Sequence, residues 1–420
     1  MSAPRQNFVK CPCCWERFPL SQTMWIAAHE DLKDDYRFGR SGDTKPQRFL
    51  PERFTPGYRA IDERGEICKR EFACPHCHME IPERFFECEP MYVSIVGTKG
   101  AGKTFFLTAL HHRLQQNRFK RDYDLDLFFD AGLYASKNET LAKNVNTLFH
   151  SAVPPDAFVT LEATLPGDLE TMITVPGGRE YNVANPFTYI LSKGGKRHAP
   201  CLYDHSGESF KGSNIDEARN TFTQHILDSD IFFFLYDPTQ NANCVKDYAA
   251  KYGRQIYRDG KIDQDELVGM ESAILNPTIA EQSHHVFGAV ANYIRSFADP
   301  TKKIIEGDQY TKYICIVATK CDAWEKCLSE KAQQHLQELP SPEIIASVSS
   351  ELEHWLERHD SAFTSTVRDF AKHYSYVPIS AAGRQVKKSV SGLEGYDIGV
   401  EALSSRWIDV PFLCALYPPY

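Results

Sequence analysis

Apolar residues follow, along much of this chain, the pattern that is typical of buried strands. Three short runs are almost wholly apolar and rich in β-branched or aromatic residues: 91–96, 231–236 and 313–318. Continuous runs of this length favour parallel strands that are covered on both faces. A further strand is predicted at 374–379, after a long stretch with helical periodicity. From residue 91 onward the pattern therefore predicts an α/β domain with a doubly wound, mostly parallel sheet.

Helices are predicted between these strands. The first begins near Lys103 and ends near Asn117, directly after a glycine-rich loop. Further helices are predicted at 131–149, 215–227, 241–297 and 343–373, and shorter strands at 123–129, 158–165, 172–175 and 201–203. Strands that alternate with helices are typical of doubly wound sheets.

Residues 1–90 have a different character. They are rich in cysteine, proline, arginine and aromatic residues, and they show little helical periodicity. Seven of the thirteen cysteines lie here: Cys11, Cys13, Cys14, Cys68, Cys74, Cys77 and Cys88. With no export signal, such clustering indicates metal ligation rather than disulfides. We therefore predict two units, a cysteine-rich module at 1–90 and an α/β domain at 91–420.

Composition and charge argue against several classes of function. The chain is 42% apolar and 25% charged, which is ordinary for a soluble globular protein. Its net charge of −9 argues against a general attraction to nucleic acid or anionic lipid. The longest apolar stretches have about six residues, whereas a membrane-spanning helix needs about 20. The N-terminus, Met-Ser-Ala-Pro-Arg-Gln, has no apolar signal region. We expect a cytoplasmic protein.

The glycine-rich loop lies between the first predicted strand and the first predicted helix. Glycines allow a backbone to curl so that successive N–H groups point at phosphate oxygens, and the helix N-terminus adds partial positive charge. Lys103 is expected to reach the β- and γ-phosphates, and Thr104 to ligate Mg²⁺. The loop matches G-x-x-x-x-G-K-[ST] throughout, with Gly97, Thr98, Lys99, Gly100, Ala101, Gly102, Lys103 and Thr104.

Three later elements each follow a predicted strand: Asp204-His205-Ser206-Gly207, Thr319-Lys320-Cys321-Asp322 and Ser380-Ala381-Ala382. Together with the loop, and in the same order, they resemble the nucleotide-binding elements of P-loop GTPases of the translation-factor and Ras-like (TRAFAC) class. This resemblance covers roughly residues 91–385 and implies a P-loop GTPase fold enlarged by insertions. A kinase-like or ATPase P-loop protein is one alternative, and coincidence of the later elements is another.

In the P-loop GTPases that this chain resembles, the second element contacts magnesium and the γ-phosphate. Asp204 would hold Mg²⁺ through a water, and the amide of Gly207 would contact the γ-phosphate. Glu208 stands where many family members have the Gln or His that orients the attacking water. An ionised Glu accepts a hydrogen bond from water but cannot also donate one to phosphate. We therefore expect hydrolysis that is slow or partner-dependent, with His205 as an alternative water-orienting residue.

The third and fourth elements imply recognition of guanine. The carboxylate of Asp322 can accept two hydrogen bonds, from N1–H and from the exocyclic amine, and adenine lacks that pair of donors. Lys320, next to Thr319, would lie along the base. The backbone of the element that begins with Ser380 and Ala381 would contact guanine O6.

The elements are widely spaced compared with compact members of the family. From Gly97 to Asp204 is 107 positions, and from Asp204 to Thr319 is 115. Two insertions, near 120–200 and near 238–300, would account for this length. Both are predicted partner surfaces.

Two C-P-x-C pairs distinguish the N-terminal module, one at Cys11 and Cys14 and one at Cys74 and Cys77. Such pairs can close a tetrahedral thiolate site, for which zinc is the usual metal. The module resembles zinc ribbons, with a long insertion between its two pairs. An iron–sulfur cluster and a metal-free module stay open, and so do five alternative ligands: Cys13, Cys68, His76, His78 and Cys88.

We therefore expect a zinc-ribbon-bearing GTPase that binds GTP with Mg²⁺, hydrolyses it to GDP and phosphate, and acts as a switch on a protein partner. The joining of a Cys-rich segment to an enlarged GTPase domain is also similar to the "double-GTPase" type of prokaryotic conflict systems, which implies partners from the same gene cluster. One alternative is a nucleotide-gated binding module with little intrinsic hydrolysis. The other is an ATP-dependent or nucleic-acid-binding P-loop protein.

Overall fold

The computed structural model describes most of the chain, namely residues 7–38, 45–98, 100–129, 139–150, 158–159, 170–174, 178, 180–193, 195–204, 221–251, 257–258, 261–262, 278–381, 386–388, 396–399 and 405–417. Within these residues an eight-stranded sheet forms the centre of the molecule. Helices flank the sheet, and a small module of short strands packs against it.

The N-terminal module consists of short antiparallel strands. They are β1 (Phe8–Lys10), β2 (Arg17–Pro19), β3 (Met24–Ile26), β4 (Arg48–Phe49), β5 (Arg53–Phe54), β6 (Ala60–Ile61), β7 (Phe72–Ala73) and β8 (Glu80–Ile81). β1 pairs with β2, and β5 with β6. A four-stranded sheet has the order β4–β3–β7–β8. The frequent prolines of this region favour turns and short strands over helices.

The rest of the chain alternates between strands and helices. Its strands are β9 (Glu89–Gly97), β10 (Asp126–Phe129), β11 (Phe158–Val159), β12 (Glu170–Thr174), β13 (Glu180–Ala184), β14 (Phe187–Lys193), β15 (Lys196–Asp204), β16 (Ile231–Tyr236), β17 (Tyr257–Arg258), β18 (Lys261–Ile262), β19 (Ile305–Glu306), β20 (Gln309–Ala318), β21 (Ala371–Pro378), β22 (Val386–Lys388) and β23 (Tyr396–Gly399). Its helices are α1 (Lys103–Gln115), α2 (Asn117–Tyr123), α3 (Glu139–Val145), α4 (Thr221–Asp228), α5 (Ala242–Lys251), α6 (Thr278–Phe297), α7 (Cys321–Trp324), α8 (Glu330–His335), α9 (Pro342–His359), α10 (Ser361–Phe370) and α11 (Val410–Leu416).

The central sheet has the order β10–β14–β15–β9–β16–β20–β21, with β19 paired to the start of β20. Five neighbouring strands, β15, β9, β16, β20 and β21, are parallel. β14 runs antiparallel to β15, and β10 antiparallel to β14. The prediction of a mostly parallel sheet is therefore confirmed. Because β15 and β16 lie on opposite sides of β9, the sheet has a topological switch point at β9, where open α/β sheets bind their ligands.

Helices cover both faces of this sheet, as aromatic contacts of β16 demonstrate. Phe233 packs against Phe106 of α1 with ring centroids 6.4 Å apart. The next residue, Phe234, packs against Phe287 of α6 and Phe363 of α10. Successive residues of a strand point to opposite faces, so α1 lies on one side and α6 and α10 on the other. All six residues of β16 are buried, as its continuous apolar run predicts.

Several element boundaries differ from the sequence expectations. The segment 241–297, predicted to be helical, contains α5, α6 and the β17–β18 hairpin between them. The stretch 343–373 forms two helices and the first three residues of β21. The helix is divided because Asp360 ends α9 and caps α10 by accepting a hydrogen bond from the N–H of Phe363 at 3.3 Å. Tyr123 ends α2, and the strand predicted to begin there starts three residues later.

The longest described helices, α6 and α9, have 20 and 18 residues. Each combines apolar and polar faces, as expected for helices that pack on a sheet. Among the described helices, none combines the length and the apolar character that crossing a membrane requires.

Candidate functional site

The parallel strands bring the predicted nucleotide-binding elements to one edge of the sheet. Gly97 ends β9 and Asp204 ends β15. Thr319 directly follows β20, and Ser380 lies two residues after β21. Because the carboxyl ends of parallel strands meet at the same edge, elements that are far apart in the chain become neighbours.

Steric limits explain the glycines of the glycine-rich loop (97–104). A Cβ added at Gly97 would lie 2.9 Å from the carbonyl oxygen of Leu235, which is too close for any side chain. Gly100 and Gly102 have φ angles of +79° and +85°. Residues with a Cβ rarely adopt this left-handed region. The backbone path therefore requires glycine at all three positions.

Two residues of the loop stabilise its turn. The N–H of Ala101 donates to the carbonyl of Thr98 at 3.1 Å. The side chains of Thr98 and Ala101 are both buried, so they fix the loop against the protein interior. Lys99 lies outside the described residues.

The loop ends at the N-terminus of α1, where Lys103 and Thr104 form the first turn. The ammonium of Lys103 donates to the carbonyl of Gly97 at 3.0 Å, so this side chain extends back across the loop. Gly102 precedes the helix and offers no side chain to cap it. The first-turn N–H groups and the partial positive charge of the helix are therefore suited to an anion. Thr104 is half-buried.

Asp204 lies on the strand next to the loop. It is 9% exposed and pairs in register with Ile95 of β9. Its carboxylate and the hydroxyl of Thr104 are hard oxygen donors of the kind that Mg²⁺ prefers. The rest of the second element lies outside the described part of the chain: His205, Ser206, Gly207 and Glu208.

The third element, the base loop (319–322), is held between two strands. The N–H of Thr319 donates to the carbonyl of Tyr236 at the end of β16, at 2.9 Å. The N–H of Cys321 donates to the carbonyl of Ile379, just beyond β21, also at 2.9 Å. These bonds hold the base loop between the ends of β16 and β21.

The third and fourth elements contact each other directly. The hydroxyl of Ser380 donates to the carboxylate of Asp322. Burial raises the pKa of Asp322, and the hydrogen bond from Ser380 opposes that rise. Ala381 follows Ser380 and is partly exposed beside this pair. The two elements that the resemblance assigns to guanine thus form one cluster.

Four residues at this edge were not predicted from the sequence: Asp237, Gln240, Glu325 and Arg406. Arg406 forms an ion pair with Glu325 at 2.5 Å and exchanges two backbone hydrogen bonds with Ser380, at 3.0 and 2.8 Å. Asp237 forms an ion pair with Lys320 at 2.6 Å. Asp237 could have been found, because it directly follows the apolar run Ile231–Tyr236. Arg406 belongs to no motif.

A second cluster lies in the N-terminal module. Among the described residues, one group of candidate metal ligands is gathered, and its ligand atoms all lie within 4.8 Å of one another. The sulfurs of Cys11 and Cys77 are 3.7 Å apart, as are those of Cys14 and Cys74. A zinc–sulfur distance of about 2.3 Å gives a tetrahedron with edges of about 3.8 Å. The four buried cysteines therefore fit zinc.

Backbone hydrogen bonds support the same interpretation. The sulfur of Cys11 accepts a hydrogen bond from the N–H of Cys13 at 3.3 Å, and that of Cys74 from the N–H of His76 at 3.4 Å. Hydrogen bonds to a thiolate stabilise its charged form. Burial raises the pKa of the Cys11 thiol in the absence of a cation. A bound cation would compensate for that cost.

The alternative ligands have other roles in the described structure. The ring of His78 bonds to the carboxylate of Asp35 at 2.8 Å. Cys88 donates to the carbonyl of Arg84 at 3.1 Å. Cys68 lies in a separate small core. Cys13 and His76 contribute the N–H groups described above rather than ligand atoms.

The cysteine module packs on the strand that ends in Asp204. The hydroxyl of Tyr203, the preceding residue, donates to the carbonyl of Pro12 at 2.6 Å and accepts from the indole N–H of Trp15 at 3.3 Å. The rings of Trp15 and Tyr203 also pack against His225 of α4, at 5.9 and 5.4 Å. The module therefore contacts both β15 and the helix that follows it.

We expect Tyr203→Phe to destabilise the protein by about 1–3 kcal/mol, because the substitution leaves the buried carbonyl of Pro12 and the N–H of Trp15 unsatisfied. Urea unfolding in the presence of added zinc measures the change. Tyr58→Phe is the control, since Tyr58 is 82% exposed and a change of under about 0.5 kcal/mol is expected there. Equal stability of the two variants would contradict the described contact.

No protein-family model matches the chain, and no curated protein matches it. Solved structures that match include the crystal structure of the S. cerevisiae Ski7 GTPase-like domain bound to GTP, at 13% identity and a TM-score of 0.24. That match covers 75% of this chain and 50% of the other, so this chain spans about half the length of that one. A likeness this weak supports no conclusion about function. The chain is a mixed α/β protein with a mostly parallel central sheet and a four-cysteine cluster that could bind zinc.

Proposed function

We propose that this chain binds GTP with Mg²⁺ and hydrolyses it to GDP and phosphate. One observation carries the proposal: the glycine-rich loop, Asp204, the base loop and Ser380 meet at the carboxyl ends of the parallel strands of one sheet. That edge lies beside the topological switch point at β9. Doubly wound sheets bind their ligands at this position.

Phosphate recognition would rest on the loop and on α1. The glycine conformations expose backbone N–H groups, and the uncapped start of α1 adds partial positive charge. Lys103 already spans the loop to the carbonyl of Gly97 and would transfer its hydrogen bond to the β- and γ-phosphates. Thr104 and Asp204 would hold the magnesium ion, which neutralises charge on the phosphate oxygens. Positioning and charge neutralisation would supply most of the catalysis.

Guanine recognition would rest on Asp322. Its ionised carboxylate would accept the two guanine hydrogen bonds, and the hydroxyl of Ser380 donates to one of its oxygens. The backbone at Ala381 lies next to this pair and would contact guanine O6. Buried polar pairing of this kind discriminates between bases by several kcal/mol.

The hydrolytic step would use water as the nucleophile. If the resemblance holds, the amide of Gly207 would contact the γ-phosphate and Glu208 would be the residue that faces the attacking water. Because an ionised Glu cannot donate to phosphate, we propose intrinsic hydrolysis that is slow or that a partner accelerates. The same residue favours the second candidate function, a nucleotide-gated binding module with little intrinsic hydrolysis. Single-turnover rates with and without a partner distinguish the two.

We also propose that the switch acts on a protein partner through the cysteine module or the insertions. Four large apolar side chains of the module are exposed in a short stretch of sequence: Leu50, Phe54, Tyr58 and Ile67. Exposed apolar side chains that form one contiguous patch mark protein contacts, and we propose that these four, which lie within residues 50–67, form such a patch. Products of the same gene cluster are the partners that the "double-GTPase" resemblance implies.

The test of the proposed function compares GTP and ATP binding in the presence of Mg²⁺, for the wild type and for Asp322→Asn. An amide at this position can donate to a carbonyl of xanthine but cannot accept both guanine donors. We therefore expect GTP affinity to fall by at least about 100-fold, and affinity for xanthosine triphosphate to rise above it.

Asp369→Asn is the matched control, because Asp369 is exposed and lies near Gln309, at the opposite end of β20 from the base loop. Its GTP and xanthosine triphosphate affinities should equal those of the wild type. Equal wild-type affinity for ATP and GTP, or unchanged base preference in Asp322→Asn, would contradict guanine recognition. An ATP-dependent function would then replace the proposal, and salt-sensitive binding of RNA or DNA would indicate a nucleic-acid role.

A further inference from the structure

The short turn after β16 contacts both halves of the proposed nucleotide site. It consists of Asp237 and the helical turn Pro238–Gln240, and is called here the bridging turn (237–240). The carboxylate of Asp237 accepts hydrogen bonds from the N–H and the hydroxyl of Thr239, at 2.9 and 2.7 Å. Asp237 is 1% exposed. Its carboxylate is therefore held in one orientation.

One end of the bridging turn contacts the base loop. The second carboxylate oxygen of Asp237 lies 2.6 Å from the ammonium of Lys320. Lys320 has a φ of +56°, a conformation that is uncommon for a residue with a Cβ. About a third of its side chain is exposed, so its methylenes can contact a ligand while its ammonium remains paired.

The other end contacts the glycine-rich loop. The hydroxyl of Thr98 donates to the side-chain carbonyl of Gln240 at 3.1 Å. A Cβ at Gly100 would lie 2.9 Å from the amide nitrogen of Gln240, so the two groups are in close contact. The four residues from Asp237 to Gln240 therefore span the distance between the two loops.

We propose that Asp237 is a positioning residue that holds Lys320 against the purine ring, and that Gln240 holds the glycine-rich loop for the triphosphate. The inference rests on the proposed function and assigns a separate role to each end of the bridging turn. Removal of the charge at Asp237 would release the ammonium of Lys320 while leaving the phosphate loop in place. Asp237→Asn suits this test, because an amide can still cap the turn at Thr239.

The experiment measures affinity for Mg²⁺·GTP and for Mg²⁺·tripolyphosphate, a probe that has no base, by competition with a fluorescent GTP analogue. For Asp237→Asn we expect GTP affinity to fall about tenfold and tripolyphosphate affinity to stay within about twofold of the wild type. For Gln240→Ala we expect both affinities to fall by similar factors. Thermal unfolding without nucleotide shows whether each variant is folded.

A double-mutant cycle tests whether Asp237 acts through Lys320. On a Lys320→Met background, Asp237→Asn should change GTP affinity by less than about twofold, because the ammonium that it orients is gone. An undiminished tenfold loss on that background would overturn the inference. So would unchanged GTP affinity in Asp237→Asn, or an equal fall in GTP and tripolyphosphate affinity. Wild-type protein that binds neither ligand would instead overturn the proposed function.

Discussion

Cys74→Ser should remove bound zinc and unfold the cysteine module. Structural zinc contributes about 10–16 kcal/mol of apparent binding free energy at a thiolate site. A typical domain has a stability of about 5–15 kcal/mol. The module is built from eight short strands and depends on the cluster for much of its core. Loss of one of the four sulfurs therefore removes more free energy than the rest of the module can supply.

Zinc content per chain, measured by elemental analysis, and hydrogen exchange of residues 7–88 check this result. We expect one zinc per wild-type chain, none in Cys74→Ser, and loss of exchange protection across the module. Cys88→Ser is the matched control: Cys88 is buried outside the cluster, and a serine can keep its hydrogen bond to Arg84. Full zinc in Cys74→Ser would contradict the ligand set, and zinc-free wild type would contradict the metal.

The loss of zinc should also lower the affinity of the proposed nucleotide site for GTP. Pro12 and Trp15 of the module contact Tyr203, which precedes Asp204. When the module unfolds, these contacts disappear and the end of β15 loses its support on that face. We expect GTP affinity to fall in Cys74→Ser and to stay unchanged in Cys88→Ser. Equal GTP affinities in Cys74→Ser and Cys88→Ser would mean that the cysteine module does not support the nucleotide site.

Lys103→Ala should lower affinity for Mg²⁺·GTP by more than about 100-fold. The ammonium of Lys103 crosses the glycine-rich loop at 3.0 Å from the carbonyl of Gly97, and in the proposed function it would bind the β- and γ-phosphates. Truncation of one partner of a buried charge pair costs about 2–5 kcal/mol, and about 2.7 kcal/mol corresponds to 100-fold.

Isothermal titration with GTP measures the loss, and thermal unfolding without nucleotide confirms that the variant is folded. Lys331→Ala is the control, since Lys331 is exposed on α8. Its GTP affinity should match that of the wild type. An affinity loss below about threefold in Lys103→Ala would mean that the loop does not bind the triphosphate, whatever the base preference.

Structural features that are determined by residues close together in the chain could be predicted from the sequence. Six consecutive apolar residues at Ile231–Tyr236 place apolar side chains on both faces of a strand. Both faces must therefore be covered by other elements, which predicts a central strand. The glycines at 97, 100 and 102 are spaced for a tight turn, and the structure has a turn there with positive φ angles at Gly100 and Gly102. Each C-P-x-C pair places two sulfurs together within one short loop.

Features that depend on residues far apart were not accessible. Asp237 and Lys320 are 83 positions apart, and nothing in either local sequence indicates that they form an ion pair. Arg406 reaches Ser380 and Glu325 from beyond the last predicted strand. The contact of the cysteine module with Tyr203 likewise joins residues far apart in the chain, since Trp15 and Tyr203 are 188 positions apart.

The sequence by itself thus determined the kind of sheet, the positions of the glycines in the tight turn after β9 and the four sulfurs suited to zinc. Each of these follows from the local spacing of residues and from the tendency of apolar side chains to be buried away from water. The tertiary structure alone decided the order of the strands around β9, and through it that Asp204, Asp237, Asp322 and Ser380 share one edge. Strand order depends on contacts between distant segments, each of which is worth little until the whole sheet has formed. That cooperativity is the reason why the bridging turn and the support of Asp204 by the cysteine module became apparent only in three dimensions.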